Sequence, residues 1–286
     1  MNTIEINKLS SPVSLYLGAL QSSGRRPGVV DALPEVTLVR PKVRLEEAHV
    51  AAYARVCGFC KVHGVPITYP QMLAFPLAMT FFGSTFNPWP AMGTIHLGNR
   101  IRQHRHLDVG DEVRVELSTG PLLAHEKGQT YRLDMRVLRQ DELVWEGEQF
   151  LLRVGVRQPR GGAYTSALLD ATPLSHQADF FASAGIGRAY GRVSGDINPI
   201  HLSAITARVF GFKRAIAHGM WTKAKALATL LPRDVIDQAE AIAEFKTPLY
   251  LPSKASLWSS RKDDGALFEV RNARGDKPHV RGRVTY

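Results

Sequence analysis

The stretch Tyr190–Leu231, YGRVSGDINPIHLSAITARVFGFKRAIAHGMWTKAKALATLL, decides how the chain is organised. Within it Pro199 lies between two polar residues, Asp196 and His201. Because proline fixes its own φ and disfavours helix at the preceding residue, the pattern predicts a turn that opens onto a short helix. A turn can aim a carboxylate and an imidazole into one cavity, which the i, i+5 spacing of a regular helix does not do. The pair is therefore a candidate acid–base unit.

A buried helix is expected after this turn. Apolar residues recur at helical spacing from Met220 to Leu231, and Pro232 ends the run. We expect the helix to begin at or near Gly219. A buried helix that starts with glycine presents bare backbone N–H groups, and the positive end of the helix dipole, to an oxygen that gains negative charge. The stretch thus encodes an acid, a base and an oxyanion donor.

Two segments of this stretch carry a resemblance to a known family. The segment YGRVSGDINPIH at 190–201, followed by AHGM at 217–220, resembles the signature of the MaoC-like dehydratases, the (R)-specific enoyl-CoA hydratase or hydratase 2 family. The resemblance covers roughly 100 residues of the C-terminal part, and SGDINPIH matches without a gap. It implies an α+β fold of the double hotdog type, with two curved antiparallel sheets each wrapped around a central helix and packed as a pseudo-dimer in one chain.

The resemblance also implies a reaction, the reversible hydration of a trans-2-enoyl-CoA to a (3R)-hydroxyacyl-CoA. It assigns four residues to the catalytic site, with water and proton added to one face of the substrate: Asp196, Asn198, His201 and Gly219. Hydration places negative charge on the thioester oxygen, so it requires a hydrogen-bond donor there, a base for water and an acid for Cα. Asp196 and His201 would hold the water, and which of them moves which proton is left open. No metal or redox cofactor is needed, because coenzyme A enters as part of the substrate.

Four further residues are expected at the substrate-binding site. Ser194 is expected to hydrogen-bond within the turn, and His218 to hydrogen-bond at the helix start. Met79 and Phe82 are core residues by composition. The resemblance adds a second role for them, since the degenerate half of double hotdog members accommodates a long acyl chain.

The N-terminal half repeats the pattern of the C-terminal half. Tyr53–Gly58 (YARVCG) aligns with Tyr190–Gly195 (YGRVSG) at an offset of 190 − 53 = 137 residues, with four of six positions identical. An internal duplication of about 140 residues is the economical interpretation. Each half then reads as a helix, a buried central helix and several antiparallel strands, the order that suits a curved sheet wrapped around one helix.

The first copy lacks the chemical groups of the second. At this offset the positions of Asp196, Asn198 and His201 are taken by Phe59, Lys61 and Gly64, and aligning the central helices instead places Pro70 opposite Gly219. Proline has no N–H to offer an oxyanion, so we expect one site per chain. The expected organisation is a degenerate hotdog over 1–157 that accommodates the acyl chain, a linker over 158–172, and a catalytic hotdog over 173–286.

Local patterns give the expected elements of the first half. Residues 1–36 show no strong periodicity, and Ser22–Gly28 is expected to be a solvent-facing loop. The expected helices are Glu46–Cys60 and Pro70–Phe82, the second kinked or shortened by Pro76. The expected strands are Val36–Leu45, broken at Pro41, then Ile95–Arg102, Glu112–Ser118, Gln129–Arg139 and Glu142–Val154.

Composition restricts the class of protein. With 286 residues, 44% hydrophobic and 22% charged, the chain is typical of a soluble globular protein. It contains no apolar run long enough to span a membrane, its N-terminus lacks a signal-peptide pattern, and its two cysteines favour a reducing cytoplasm. The net charge of +10 suits either nucleic acid or a polyanionic ligand such as coenzyme A. Because the basic residues are scattered, we expect no nucleic-acid partner and no membrane partner; a homodimer is compatible with the sequence.

Several alternatives stay open beside this interpretation. A (3R)-hydroxyacyl-[acyl-carrier-protein] dehydratase would use the same chemistry, and a non-catalytic acyl-CoA-binding hotdog protein would use none of it. Asp196 and Asn198 alone would fit a helix cap. Metal sites are not expected, although two sets of side chains resemble parts of one: Cys57, Cys60 and His63, and the pair His104 and His106.

Overall fold

The computed structural model of this protein describes residues 2–168 and 172–286. In these residues the α-helices are α1 (Pro12–Gln21), α2 (Glu47–Cys57), α3 (Pro70–Gly83), α4 (Ile186–Ser194), α5 (Pro199–Leu202), α6 (Ala204–Val209) and α7 (Gly219–Leu230). The strands are β1 (Asn2–Glu5), β2 (Val36–Arg44), β3 (Thr94–Gln103), β4 (Glu112–His125), β5 (Gly128–Arg139), β6 (Glu142–Val154), β7 (Gly162–Ala163), β8 (Ser175–Ala182), β9 (Ala239–Phe245), β10 (Ser253–Lys262), β11 (Gly265–Asn272) and β12 (Pro278–Thr285).

The strands form one continuous sheet with the same strand order in its two halves. The order is β1-β2-β4-β5-β6-β3-β9-β12-β11-β10-β8, with β7 beside β4. The first half packs against α3, and the second half packs against α7. At the centre β3 and β9 pair antiparallel, from Gly98 opposite Glu244 to Gln103 opposite Ala239. This is a double hotdog, so the expected α+β fold class is confirmed.

The two central helices are formed by apolar sequences that the sheets surround. Helix α7 begins at Gly219, as expected. Helix α3 continues from Pro70 to Gly83, so the expected shortening at Pro76 is wrong. A proline inside a helix costs about 3 kcal/mol, but buried residues on both sides of it, such as Ala74 and Leu77, outweigh that cost. None of the helices in the described residues is both long enough and apolar enough to cross a membrane.

The N-terminal segment is more ordered than its sequence indicates. Helix α1 begins after Ser11, whose Oγ accepts a hydrogen bond from the N–H of Ser14 at 3.2 Å. It packs on α3 where Gly18 meets Gly83 so closely that a Cβ on Gly83 would lie 3.1 Å from the Gly18 carbonyl carbon. The expectation of a solvent-facing loop is wrong for Ser22, which is buried.

One further element, strand β2, differs from the expected one. Strand β2 is not broken at Pro41; instead its register against β4 shifts between Arg40 and Val43, which is a bulge that tolerates the proline. In the segment expected as a linker, Ser166 donates a hydrogen bond to Glu244 of β9 at 2.6 Å. Residues 169–171 of that segment lie outside the described residues.

Candidate active site

A cavity of about 460 Å³ lies at the mouth of α7, and side chains from both halves line it. All eight residues singled out in the sequence contribute to its wall: Asp196, Asn198, His201, Gly219, Ser194, His218, Met79 and Phe82. The carboxylate, the imidazole and the helix start therefore meet at one place.

Asp196 is held by the turn that follows α4. Helix α4 ends at Gly195, which adopts φ +76°, a left-handed conformation that glycine reaches without strain. The N–H of Asp196 donates to Ser194 Oγ at 3.1 Å, and its Oδ1 accepts from the N–H of Asn198 at 3.1 Å. Oδ1 also accepts a hydrogen bond from the hydroxyl of Tyr16. The carboxylate is thus fixed by local turn chemistry and by one distant side chain.

His201 lies on the one-turn helix α5, whose start has two residues typical of a helix N-terminus, an asparagine cap and a proline. Asn198 is the N-cap, with its Oδ1 accepting from the N–H of Ile200 at 3.3 Å, and Pro199 occupies the first helical position. The imidazole is buried, and its Nδ1 lies 2.8 Å from the carbonyl oxygen of Ile216. Because a carbonyl only accepts, Nδ1 carries a proton and the neutral ring presents the lone pair of Nε2.

His218 is the N-cap residue of α7 and joins the helix to the turn. Its Nε2 lies 3.0 Å from the backbone oxygen of Asp196, and its ring stacks on His201 with centroids 3.7 Å apart. Burial, followed by the proximity of His201, lowers the pKa of His218 to about 3. A neutral His218 therefore donates from Nε2 and fixes the backbone of the turn, while its Nδ1 has no hydrogen-bond partner in the described residues.

The charge states of Asp196 and His201 follow from their surroundings. Burial lowers the pKa of His201, although the Asp196 charge opposes this effect. Burial raises the pKa of Asp196, but the two neighbouring imidazoles and the hydrogen bonds from Tyr16 and Asn198 outweigh it, so that the net shift is downward. At neutral pH the site therefore contains an ionised carboxylate beside a neutral imidazole.

Gly219 is required at the start of α7 by close packing. A Cβ at this position would lie 2.6 Å from the ring of Phe245. As the first helical residue, Gly219 has an N–H without an intrahelical acceptor. The N–H and the positive end of the α7 dipole lie at the cavity wall, where an anionic oxygen would be stabilised.

Tyr16 and His96 are among the cavity residues that sequence reasoning did not find. Tyr16 comes from α1, whose one sequence signal was Ser11 followed by Pro12, a pairing typical of a helix start. His96 comes from β3, where its ring packs 4.7 Å from Phe245 and its Nε2 has no hydrogen-bond partner in the described residues. Burial lowers the pKa of His96 to about 4. Nothing in the sequence distinguished His96 from any other strand residue.

The side chains that resembled metal sites do not converge. Cys60 Sγ lies 3.8 Å from His63 Nδ1, but His63 Nε2 bonds to the carbonyl of Pro232. His104 faces Glu146 and His106 faces Asp108. In the described residues the one set of at least three metal-capable side chains is the candidate site itself: Asp196, His201 and His218, with ligand atoms within 4.8 Å of one another.

The corresponding place in the first half is filled. Phe59, which aligns with Asp196, is buried beside a void of only about 20 Å³. Pro70 occupies the first position of α3, where α7 has Gly219. The first half therefore has neither the space nor the backbone donor that the second half offers.

Comparisons with known proteins agree with the resemblance found in the sequence. Residues 181–279 match the family described as MaoC like domain. The 3-hydroxyacyl-thioester dehydratase X of Mycobacterium tuberculosis is 32% identical over 265 residues, which are 89% of this chain and 90% of that protein.

Solved structures give the same result over almost the whole length. HtdX of Mycobacterium tuberculosis superposes with a TM-score of 0.74 at 31% identity, covering 87% of this chain and 98% of that one. A MaoC-like dehydratase from Phytophthora capsici gives a TM-score of 0.69 at 17% identity, covering 88% and 95% of the two chains, and supports the fold alone. By sequence and by structure, this chain belongs to the MaoC-like dehydratase family.

Proposed function

We propose that this protein is a hydro-lyase that interconverts trans-2-enoyl-CoA and (3R)-hydroxyacyl-CoA. The dehydratase name of the relative from Mycobacterium tuberculosis supports the reaction class. The observation that carries the proposal is the meeting of the Asp196 carboxylate, the His201 imidazole and the Gly219 backbone at one cavity. The direction, the stereochemistry and the residue roles are part of the proposal.

The proton transfers follow from the charge states of the two side chains. In hydration, a water molecule lies between Asp196 and His201. Its oxygen bonds to Cβ while one of its protons moves to His201 Nε2, and the electron pair of the double bond shifts towards the thioester oxygen. Asp196 orients the water by accepting its other proton as a hydrogen bond. His201 then returns its proton to Cα, so that both additions occur on one face of the substrate.

The developing negative charge is stabilised at the start of α7. The N–H of Gly219, with the helix dipole behind it, would donate to the thioester oxygen. A single donor of this kind typically lowers the barrier by about 3 kcal/mol. Each step uses groups of the chain and of the substrate, so we propose that no metal or redox cofactor takes part, and a chelator is expected to leave the rate unchanged.

The decisive measurement is the loss of the ultraviolet absorbance of the conjugated enoyl thioester when the protein is mixed with crotonyl-CoA or longer enoyl-CoAs. We expect Asp196→Asn and His201→Ala each to abolish this loss without altering the circular dichroism spectrum. The matched control is an exposed carboxylate–imidazole pair on β8, Asp179→Asn and His176→Ala, whose side chains hydrogen-bond to each other at 2.9 Å. Full activity in Asp196→Asn would refute the proposal.

A second candidate substrate is the same acyl group carried by an acyl-carrier protein. The segment 197–233 contains no acidic residue, and α6 within it exposes the apolar side chains of Ile205 and Val209. Phe212, three residues after Val209, lines the cavity. A basic and apolar surface beside the cavity would suit an acidic protein that delivers a thioester on a flexible arm.

Parallel assays separate the two substrates. Charge reversal at three exposed basic positions of this segment is expected to raise KM for a carrier-protein thioester if that protein docks there: Arg208→Glu, Lys213→Glu and Arg214→Glu. An unchanged KM for the carrier-protein substrate would exclude this docking surface, and the comparison of kcat/KM for the two thioesters decides which of them is preferred.

A further inference from the structure

Tyr16 reaches the candidate site from a part of the chain far from the matched family domain. It lies on α1, near the N-terminus, whereas the family domain spans residues 181–279. Its hydroxyl donates a hydrogen bond to Asp196 Oδ1 across a sequence separation of 180 residues. Tyr16 and Ala19 are the α1 residues that line the cavity. One helix of the first half thus completes the surroundings of the carboxylate.

The hydrogen bonds of Asp196 distinguish its two oxygens. Oδ1 accepts from the Tyr16 hydroxyl and from the N–H of Asn198. Oδ2 accepts no hydrogen bond from the described residues and lies 3.7 Å from His218 Nε2. Oδ1 is therefore the anchored oxygen, and Oδ2 is the oxygen with capacity to bind a water or a substrate hydroxyl.

We propose that Tyr16 is a positioning residue for Asp196. The Tyr16 hydroxyl holds Asp196 Oδ1, so that the carboxylate stays ionised and presents Oδ2 to the reacting water. Tyr16 acts through Asp196 and does not exchange a proton with the substrate. This inference rests on the proposed function of the site.

The position of Tyr16 is fixed by the packing of its helix. The close approach of Gly18 to Gly83 sets the distance between α1 and α3. After α1 ends, the Arg25 guanidinium donates to the carbonyl of Gly83 at 3.1 Å, which ties the segment to the end of α3. The opposite side of α1 exposes Leu17 to solvent. The helix thus has one side facing the cavity and one side that is free to be altered.

The titration behaviour of the neighbours agrees with a donor role for Tyr16. Burial, and then the charge of Asp196, raise the pKa of Tyr16, so the hydroxyl keeps its proton and remains a donor. The other titratable groups near Asp196 come from four elements: His96 of β3, Tyr190 of α4, His201 of α5 and His218 at the start of α7. The pKa values of the three histidines are lowered, so at neutral pH the three imidazoles are uncharged.

The test is Tyr16→Phe, which removes the hydroxyl and keeps the ring. A hydrogen bond to a charged group contributes about 1.5–3 kcal/mol, so kcat for crotonyl-CoA is expected to fall about 10- to 100-fold with little change in KM. Without this donor the pKa of Asp196 rises. Because the active form is the ionised one, the acid limb of the kcat/KM profile is expected to move to higher pH.

Two other variants make the outcome decisive. Leu17→Ala, on the exposed side of the same helix, is expected to keep the wild-type rate and profile. If Tyr16→Phe has the wild-type kcat and acid limb while Asp196→Asn is inactive, the inference about Tyr16 is wrong and the proposed function stands. If Asp196→Asn is active, the proposed function itself is refuted. If Tyr16→Phe does not fold, 3-fluorotyrosine at position 16 supplies a stronger donor, and the acid limb must then move to lower pH; an unmoved limb overturns the inference.

Discussion

At the scale of single residues, the site is arranged to keep two stacked imidazoles neutral beside a carboxylate. Each ring has one nitrogen bonded to a backbone carbonyl, His201 to Ile216 and His218 to Asp196. Burial lowers the pKa of both rings and outweighs these two contacts, which raise it, because two charges in one buried space are costly. At neutral pH the pair is therefore uncharged, and His201 Nε2 offers a basic lone pair.

This arrangement predicts that the fold becomes less stable in mild acid. The folded-state pKa of His218 is about 3, below its ordinary value of 6.5. The unfolded chain therefore binds more protons as the pH falls below about 6.5, and stability is lost in that direction until the pH reaches about 3. Between about pH 7.5 and pH 5 this one group accounts for on the order of 2 kcal/mol of lost unfolding free energy.

The check is urea denaturation of wild type and His218→Gln at both pH values. Between about pH 7.5 and pH 5 the unfolding free energy of the variant is expected to fall less than that of wild type, by about 2 kcal/mol. His176→Gln, a change at an exposed histidine of β8, is expected to keep the wild-type dependence. Equal losses in wild type and His218→Gln would contradict the prediction.

At the scale of elements, α3 forms part of the cavity wall, whereas its counterpart α7 begins at the cavity with Gly219. Met79 and Phe82 face the cavity, whereas Phe81 between them is fully buried in the core. A wall of a thioether and an aromatic ring suits an apolar acyl chain. The central helix of the first half, α3, therefore contributes apolar side chains to the cavity, whereas α7 contributes a glycine at its start.

We expect the size of these side chains to determine the preferred acyl length. Phe82→Ala opens the wall and is expected to shift kcat/KM towards longer enoyl-CoAs, while Met79→Phe is expected to shift it towards shorter ones. Because one methylene in a fitted apolar pocket is worth about 1–3 kcal/mol, the preference should change about tenfold or more. Phe81→Leu, a core change on the same helix, is expected to lower stability and leave the length preference unchanged. An unchanged preference in both cavity variants would contradict the role of α3.

At the scale of the whole molecule, the duplication has produced two halves with equal strand order and unequal chemistry. The pairing of β3 with β9 makes them one sheet, which brings Tyr16 and His96 of the first half to the cavity of the second. The reciprocal cavity is closed by Phe59. The lining of this cavity is therefore divided between the halves.

One binding site per chain is the expected consequence. Asp196→Asn allows titration with a true enoyl-CoA, because the variant is expected to bind without turnover. Isothermal titration calorimetry should give one molecule of ligand per chain. Free coenzyme A, which lacks the acyl group, is expected to bind more weakly and serves as the control. Two equivalents of enoyl-CoA would show that the first half retains a site.

The sequence determined the parts of this protein that depend on near neighbours. The turn at Asp196, the one-turn helix at His201 and the start of α7 at Gly219 follow from proline and glycine geometry and from capping within a few residues. The strand positions follow from residue alternation, and the duplication is visible because a short segment repeats. These features were predicted from the chain because their causes are local.

Only the tertiary structure decided the features whose causes lie far apart in the chain. The continuation of α3 through Pro76 depends on burial by the surrounding sheet, and the hydrogen bond from Tyr16 to Asp196 depends on how α1 packs against α3. The approach of His96 to the cavity depends on the pairing of β3 with β9. Local propensity contains no information about such partners, because the free energy that brings them together comes from burying surfaces contributed by residues separated by most of the chain.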